Sequence, residues 1–329
     1  MRDIRNSLSR NFGRIVCAAM VVGVMGIATQ ACTAQDWAKA MLAKSPRHGE
    51  YVTIKEANGR ELQAFVVYPE VKQKAPVIVL IHEIFGESDW FKEMADELAG
   101  AGYIVIAPDL LSGFGPAPPA SAMVMPAQKP GLERVSMDGM AGMEGMDHGQ
   151  AQTPAGPRGA PFVPASPGGT SAFPPDQVTR AVSGLNADIV TADLDAAADY
   201  GKKLPAANGK LFVAGFCWGG SKSFLYATHR HDLSAAFVFY GTPPTADLMK
   251  NIAAPVYGFY AGNDARVTAT VPQAETDMKA AGKKYEPKIY DGAGHGFMRA
   301  GQAPDANAPN TAAWNEGFRR LVDLLGGVH

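Results

Sequence analysis

Apolar and polar positions alternate over Tyr51–Ile54 and again over Leu62–Tyr68, the period of a strand with one buried face. Between them, Asn58-Gly59 suits the left-handed backbone of a tight turn, so the pair predicts a β-hairpin. The pattern then changes. Pro76 introduces the solid apolar run Val77–Ile81, a helix-like stretch covers Trp90–Ala99, and Tyr103–Ala107 is a second solid run. Continuous apolar runs separated by helices predict strands covered on both faces, and therefore a parallel sheet.

The rhythm resumes late in the chain. Val182, Leu185, Ile189 and Leu194 recur at near-helical spacing and predict one long helix from about Val178 to Leu204, stopped by Pro205. Strands are expected at Leu211–Ala214, Ala235–Tyr240, Val256–Tyr260 and Tyr285–Tyr290, with helical stretches between them and a last helix near Trp314–Leu325. This alternation predicts an α/β protein with a mostly parallel, doubly wound sheet and helices on both faces. The segment from Gly113 to about Asp176 breaks the pattern, being rich in proline, glycine, alanine and methionine and poor in branched apolar residues. Such a composition builds no core of its own. It is expected to be a low-complexity insertion within a single domain spanning 35–329, leaving the sheet at its carboxyl edge, where α/β folds bind ligands.

Composition and charge alter this picture in three ways. With 329 residues, 47% of them apolar, the chain buries a sizeable core. Its formal net charge of −2 excludes attraction to a nucleic-acid backbone. The N-terminus carries Arg2, Arg5, Arg10 and Arg14, then the uncharged run Ile15–Ala28 and small residues over Thr29–Ala34. That layout predicts a signal peptide at 1–34, cleaved after Ala31 or Ala34, and an exported protein, periplasmic or secreted, that leaves the membrane after cleavage. The apolar run is shorter than the roughly 20 residues of a spanning helix. Lipidation at Cys32 is the weaker reading, because Thr29-Gln30-Ala31 lacks the aliphatic residue expected before it. Of the three cysteines, cleavage after Ala34 removes Cys17 and Cys32 and leaves Cys217 without a disulfide partner.

The most specific local feature surrounds that cysteine. Gly215-Phe216-Cys217-Trp218-Gly219-Gly220 follows the apolar run Leu211–Ala214 and precedes a helical stretch, Ser221–Thr228. A nucleophile held on a sharp strand-to-helix turn needs glycine or a very small residue two positions before and after it, so that strand and helix pack closely. Gly215 and Gly219 meet both demands. The turn places the sulfur at a helix N-terminus, where the dipole is expected to favour thiolate over thiol.

An acid and then a histidine follow in chain order, as this type of site requires. Asp264 lies in Ala261-Gly262-Asn263-Asp264 after one strand, and His295 in Gly292-Ala293-Gly294-His295-Gly296-Phe297 after the next. Asp291 is the second choice of acid. Taken singly, each of these is more often an ordinary loop residue; together after the turn they form a candidate Cys-Asp-His set. The stretch Leu80-Ile81-His82-Glu83-Ile84-Phe85-Gly86 follows a central strand. Its backbone, through the N–H of Ile84, is expected to join that of Trp218 in an oxyanion hole. Glu83 is then a carboxylate facing the pocket or, equally, a surface glutamate.

His82-Glu83-Ile84-Phe85-Gly86, the cysteine turn, Asp264 and Gly294-His295-Gly296-Phe297 together resemble the dienelactone hydrolases, from about Tyr51 to the C-terminus apart from the insertion. The resemblance implies an α/β-hydrolase fold and a hydrolase cleaving a lactone or carboxylic ester through a thioester on Cys217, with no cofactor. It also implies that Glu83 helps deprotonate the thiol when substrate arrives and that Arg299 pairs with Glu83 and helps hold a substrate carboxylate. The family's second carboxylate-binding arginine has no counterpart, because Leu111-Ser112-Gly113 stands at that place and the next arginine is Arg134. A general esterase or thioesterase is the alternative within the same chemistry.

A reading of another class comes from the insertion. Met137, Met140, Met143 and Met146 recur at every third position, with His148 close behind, and thioethers are soft donors suited to copper(I). This would make the chain a periplasmic copper-binding protein on an α/β-hydrolase scaffold. The absence of a thiol or second histidine nearby favours a low-complexity lid instead.

Overall fold

A computed structural model describes residues 35–56, 59–115 and 168–327. The leader at 1–34 with Cys17 and Cys32, the turn residue Asn58, Arg134, and the tract containing Met137, Met140, Met143, Met146 and His148 lie outside these residues.

Helix α1 (Asp36–Leu42) precedes the predicted hairpin, β1 (Gly49–Lys55) and β2 (Glu61–Val67). Strand β3 (Ala75–Ile81), helix α2 (Asp89–Gly100) and strand β4 (Ile104–Pro108) follow. After the insertion come α3 (Pro175–Ser183), α4 (Ala187–Lys203), β5 (Ala207–Phe216), α5 (Trp218–Tyr226), β6 (Ala235–Phe239) and α6 (Ala246–Met249). The chain finishes through β7 (Val256–Ala261), α7 (Ala265–Thr268), α8 (Val271–Ala280), β8 (Tyr285–Tyr290), α9 (Phe297–Gln302) and α10 (Ala308–Gly327). The strands form one sheet in the order β1-β2-β4-β3-β5-β6-β7-β8. The hairpin pairs are antiparallel, and every pair from β4 to β8 is parallel.

Alternation within each strand sorts side chains between two cores. Val77, Val79 and Ile81 of β3, with Leu211 and Val213 of β5, pack on one face against Leu194 and Ala197 of α4. Ile78, Leu80, Phe212 and Ala214 face the other way, toward Phe91, Met94 and Leu98 of α2 and Leu321 of α10. Leu80 is fully buried, so Leu80→Ala would cost about 2–5 kcal/mol. Helix α2 starts where Ser88 accepts the Phe91 N–H, an N-cap that satisfies one orphan donor. This is the predicted α/β-hydrolase architecture, and it brings the loops after β3, β5, β7 and β8 to a single edge.

One predicted element divides. The helix expected over Val178–Leu204 is two helices, α3 and α4, separated at Gly184–Asn186. Gly184 ends the first, and Asn186 Oδ1 starts the second by accepting the N–H groups of Asp188 at 2.7 Å and Ile189 at 3.4 Å. The physical reason is that their apolar faces have different destinations. Val178 and Val182 pack with Leu111, whereas Val190 and Leu194 pack on the sheet, and one straight helix cannot serve both.

The insertion departs and returns at one point beside the carboxyl end of β4. Gly168 pairs with Ser112, and the Gly169 N–H donates to Leu111 O at 3.0 Å. Thr170 donates its N–H to Asp109 Oδ2 at 2.6 Å and its hydroxyl to Oδ1 at 2.8 Å. The expected boundary near Asp176 therefore falls too late, inside α3.

Candidate active site

Cys217 joins β5 to α5 with φ 57° and ψ −115°, a backbone that a residue other than glycine holds at a cost of about 1–3 kcal/mol. The surroundings enforce it. The Cys217 N–H donates to Phe239 O at 3.0 Å. A Cβ at Gly215 would stand 2.0 Å from the Gly219 carbonyl oxygen, and one at Gly219 would stand 2.4 Å from that of His82. Close backbone approach explains why both positions are glycine.

Three groups from three different loops converge on the sulfur. His295 Nε2 lies 3.0 Å from Sγ, and the backbone N–H groups of Ile84 and Trp218 lie near enough to favour negative charge on it. On its far side the imidazole meets Asp264, with Nδ1 and Oδ2 2.5 Å apart. The carboxylate is nearly enclosed while the ring is about one-third exposed, with side-chain accessibilities of 7% and 33%. Asp264 also caps α7 by accepting the Val267 N–H. Asp291, the other acid considered, is exposed.

Glu83 is buried rather than a surface side chain, at 3% exposure. Arg299 Nε donates to its Oε2 at 2.8 Å and the Tyr240 hydroxyl to its Oε1 at 3.4 Å. The Arg299 guanidinium lies over the Phe85 ring, 5.1 Å from its centroid.

The expectation that the helix end would favour thiolate is overturned. Burial pushes the Cys217 thiol up, and the negative charge of Glu83 adds to that; the N–H groups of Trp218 and Ile84 and the charge of Arg266 pull it down less strongly. A single helix terminus is outweighed by desolvation and a nearby carboxylate. Burial and Glu83 thus disfavour the thiolate, and His295 Nε2 is the ring nitrogen within hydrogen-bond reach of the sulfur.

Several contributors lay beyond the sequence reading. Tyr240, whose φ is 39°, packs its ring edge-on against His295 at 5.0 Å. Its place directly after a parallel strand was the available signal. Asn263 laces the two loops together, donating its N–H to Ala293 O at 2.9 Å and its side-chain amide to Gly292 O at 3.0 Å. Asn310 of α10 accepts the Gly294 N–H at 2.9 Å, and no local motif marks it. Helix α3 supplies an apolar wall, where Val178 and Val182 pack with Leu111, Phe173, Ile84 and Trp218. Among the described residues, no group of three or more His, Cys, Asp or Glu could hold a metal ion.

The dienelactone hydrolase family model matches residues 62–328. The chain belongs to the dienelactone hydrolase family. It is therefore a hydrolase acting on ester or lactone bonds. A carboxymethylenebutenolidase of Pseudomonas putida is 25% identical over 252 residues, covering 76% of this chain and 86% of the relative. Among solved structures, a dienelactone hydrolase-like promiscuous phosphotriesterase from metagenomic libraries aligns with a TM-score of 0.60 at 19% identity, covering 86% of this chain and 98% of that one. Dienelactone hydrolase from Anabaena variabilis aligns with a TM-score of 0.52 at 14% identity, covering 83% and 96%. These two likenesses concern the fold alone.

Proposed function

We infer that this family member cleaves its ester or lactone with Cys217 as nucleophile, His295 as general base and acid, and Asp264 as the group that orients the imidazole. The observation that carries this is the unbroken line from Asp264 Oδ2 through His295 to Cys217 Sγ, at 2.5 and 3.0 Å.

The thiol gives its proton to His295 Nε2 while the sulfur attacks the carbonyl carbon. The Ile84 and Trp218 N–H groups, already directed at the sulfur, receive the oxyanion. As the C–O bond breaks, the imidazolium returns the proton to the departing alkoxide, and a thioester on Cys217 remains. Water then gives a proton to His295, adds to the thioester carbonyl, and releases the acid as the sulfur recovers its hydrogen. Nothing in this sequence calls for a cofactor. Glu83 opposes a thiolate at rest by its charge, and Arg299 holds it in place. A substrate carboxylate drawn to Arg299 would compete for that arginine and so change the field at the sulfur.

The P. putida relative bears the name carboxymethylenebutenolidase, which names dienelactone cleavage. The present chain has Leu111-Ser112-Gly113 where the resemblance calls for a second carboxylate-binding arginine. We therefore assign the broader class, a lactone or carboxylic ester. The leader-like pattern of residues 1–34 supports export of the enzyme, which the mass of the mature N-terminus tests.

Cys217→Ala is expected to abolish turnover with an unchanged fold. Brief exposure to a panel of lactones and esters, followed by mass spectrometry, is expected to reveal an acyl increment on Cys217 and thereby the acid released. Ester hydrolysis retained by Cys217→Ala would refute the assignment.

A further inference from the structure

His82 directly follows β3, beside the Glu83 carbonyl and the Trp218 indole, and takes no part in the proton transfers above. It is fully buried. Its Nδ1 lies 2.7 Å from the carbonyl oxygen of Glu83, an atom that only accepts, so Nδ1 carries the hydrogen. The other ring nitrogen, Nε2, is buried and has no hydrogen-bond partner among the described residues. Burial also lowers the affinity of the ring for a proton, against the opposing charge of Asp109, which agrees with a neutral imidazole of one fixed tautomer. The ring stacks on Trp218 at 5.5 Å and 11°, and meets Phe91 edge-on at 5.8 Å.

The Glu83 carbonyl belongs to the same peptide unit as the Ile84 N–H. In a trans peptide these two groups point in opposite directions, so donors fixed on the carbonyl fix where the N–H aims; the Gly86 N–H donates to the carbonyl at 3.1 Å, and His82 is the closer donor. The Ile84 N–H favours negative charge on Cys217 Sγ. The same ring lies against the indole of Trp218, whose backbone N–H is the second donor to the sulfur. The two donors come from loops far apart in sequence, and His82 touches both, through Nδ1 at the Glu83 carbonyl and its ring on the Trp218 indole. A leucine or phenylalanine would fill this apolar site without leaving a bare nitrogen in it. The ring's distinctive contribution is the Nδ1 hydrogen.

We propose that His82 is a positioning residue that aims the oxyanion hole, turning the Glu83–Ile84 peptide so that its N–H faces the developing oxyanion while the ring seats Trp218. The proposal rests on the assignment of Cys217 as nucleophile, and the experiment separates the two. His82→Phe keeps an aromatic ring against Trp218 and removes the donor. His82→Asn loses the ring and keeps an N–H at the position of Nδ1.

Two rates are measured on each purified protein: acylation of Cys217 by a p-nitrophenyl ester, from the burst of nitrophenol, and alkylation of Cys217 by iodoacetamide, which forms no oxyanion. The expected result is acylation slowed about 10²-fold in His82→Phe, near the effect of losing one oxyanion donor, with alkylation unchanged. His82→Asn should recover most of the acylation rate despite the poorer packing. A role in packing alone predicts the reverse order. The proposal is overturned if His82→Phe acylates at the wild-type rate, if its two rates fall together, or if His82→Asn does no better than His82→Phe. Should neither variant fold, nitrogen NMR of the wild-type protein decides: a proton on Nδ1 supports the proposal and one on Nε2 defeats it. A wild-type enzyme that is alkylated but never acylated at Cys217 would instead defeat the underlying assignment.

Discussion

The chain contains two Asp–His pairs of nearly the same geometry and very different meaning. Asp264 and His295 meet at 2.5 Å; Asp195 and His229 meet at 2.8 Å. In the first, the carboxylate is almost enclosed and the second ring nitrogen faces a sulfur. In the second, the aspartate is one-third exposed and His229 about half exposed. That aspartate also accepts hydrogen bonds from Tyr226 at 2.7 Å and Arg230 at 3.2 Å, so its charge is divided among three partners. An acid beside an imidazole is therefore a common surface arrangement. It becomes reactive when one carboxylate oxygen is kept for that ring, water is largely excluded, and a nucleophile occupies the ring's other side.

The sharpest way to break this comparison is to remove each histidine. His295→Ala should lower kcat/KM by about 10³–10⁴-fold, the scale of general-base removal, while His229→Ala leaves it unchanged in steady-state assays. Equal losses would erase the distinction. Removing the acids gives a smaller contrast. Asp264→Asn should slow turnover about 10²-fold, because the amide favours the wrong tautomer of His295. Asp195→Asn should instead lower stability by about 0.5–1 kcal/mol after solvent screening, read from urea unfolding, with no change in rate.

The smallest effect concerns pH. Since Glu83 raises the Cys217 pKa, Glu83→Gln removes a negative charge that disfavours thiolate and leaves Arg299 unpaired, and both changes favour ionisation. The midpoint of the pH profile for iodoacetamide alkylation should move downward. The Asp195–His229 pair has no thiol to influence, so Asp195→Asn should leave that midpoint where it is; an upward shift in Glu83→Gln would contradict the electrostatic account.

Much of this organisation was legible before any coordinates. Alternation over Tyr51–Ile54 and the solid run Val77–Ile81 distinguished the antiparallel hairpin from the buried parallel strands, because side-chain period and burial are linked directly. Gly215 and Gly219 marked the turn at Cys217 because close backbone contact tolerates no Cβ there. The order Asp264 then His295 was readable from their places after successive strands. The division of α3 from α4 was missed, since Val182, Leu185, Ile189 and Leu194 keep helical spacing across a break made by Gly184 and Asn186. The direction of the Cys217 shift was also missed, because a helix end is visible in sequence and the burial of Glu83 is not.

Local stereochemistry explains what the chain could declare alone: which runs are strands, where glycine is unavoidable, and which cysteine, aspartate and histidine follow strands. Each of these depends on neighbours within a few residues. Folding decided the rest, because charge, desolvation and hydrogen-bond direction depend on atoms that the chain brings close from far away. Arg299 reached Glu83, Asn310 reached Gly294, and Tyr240 reached His295 only once parallel strands had delivered their loops to a common edge.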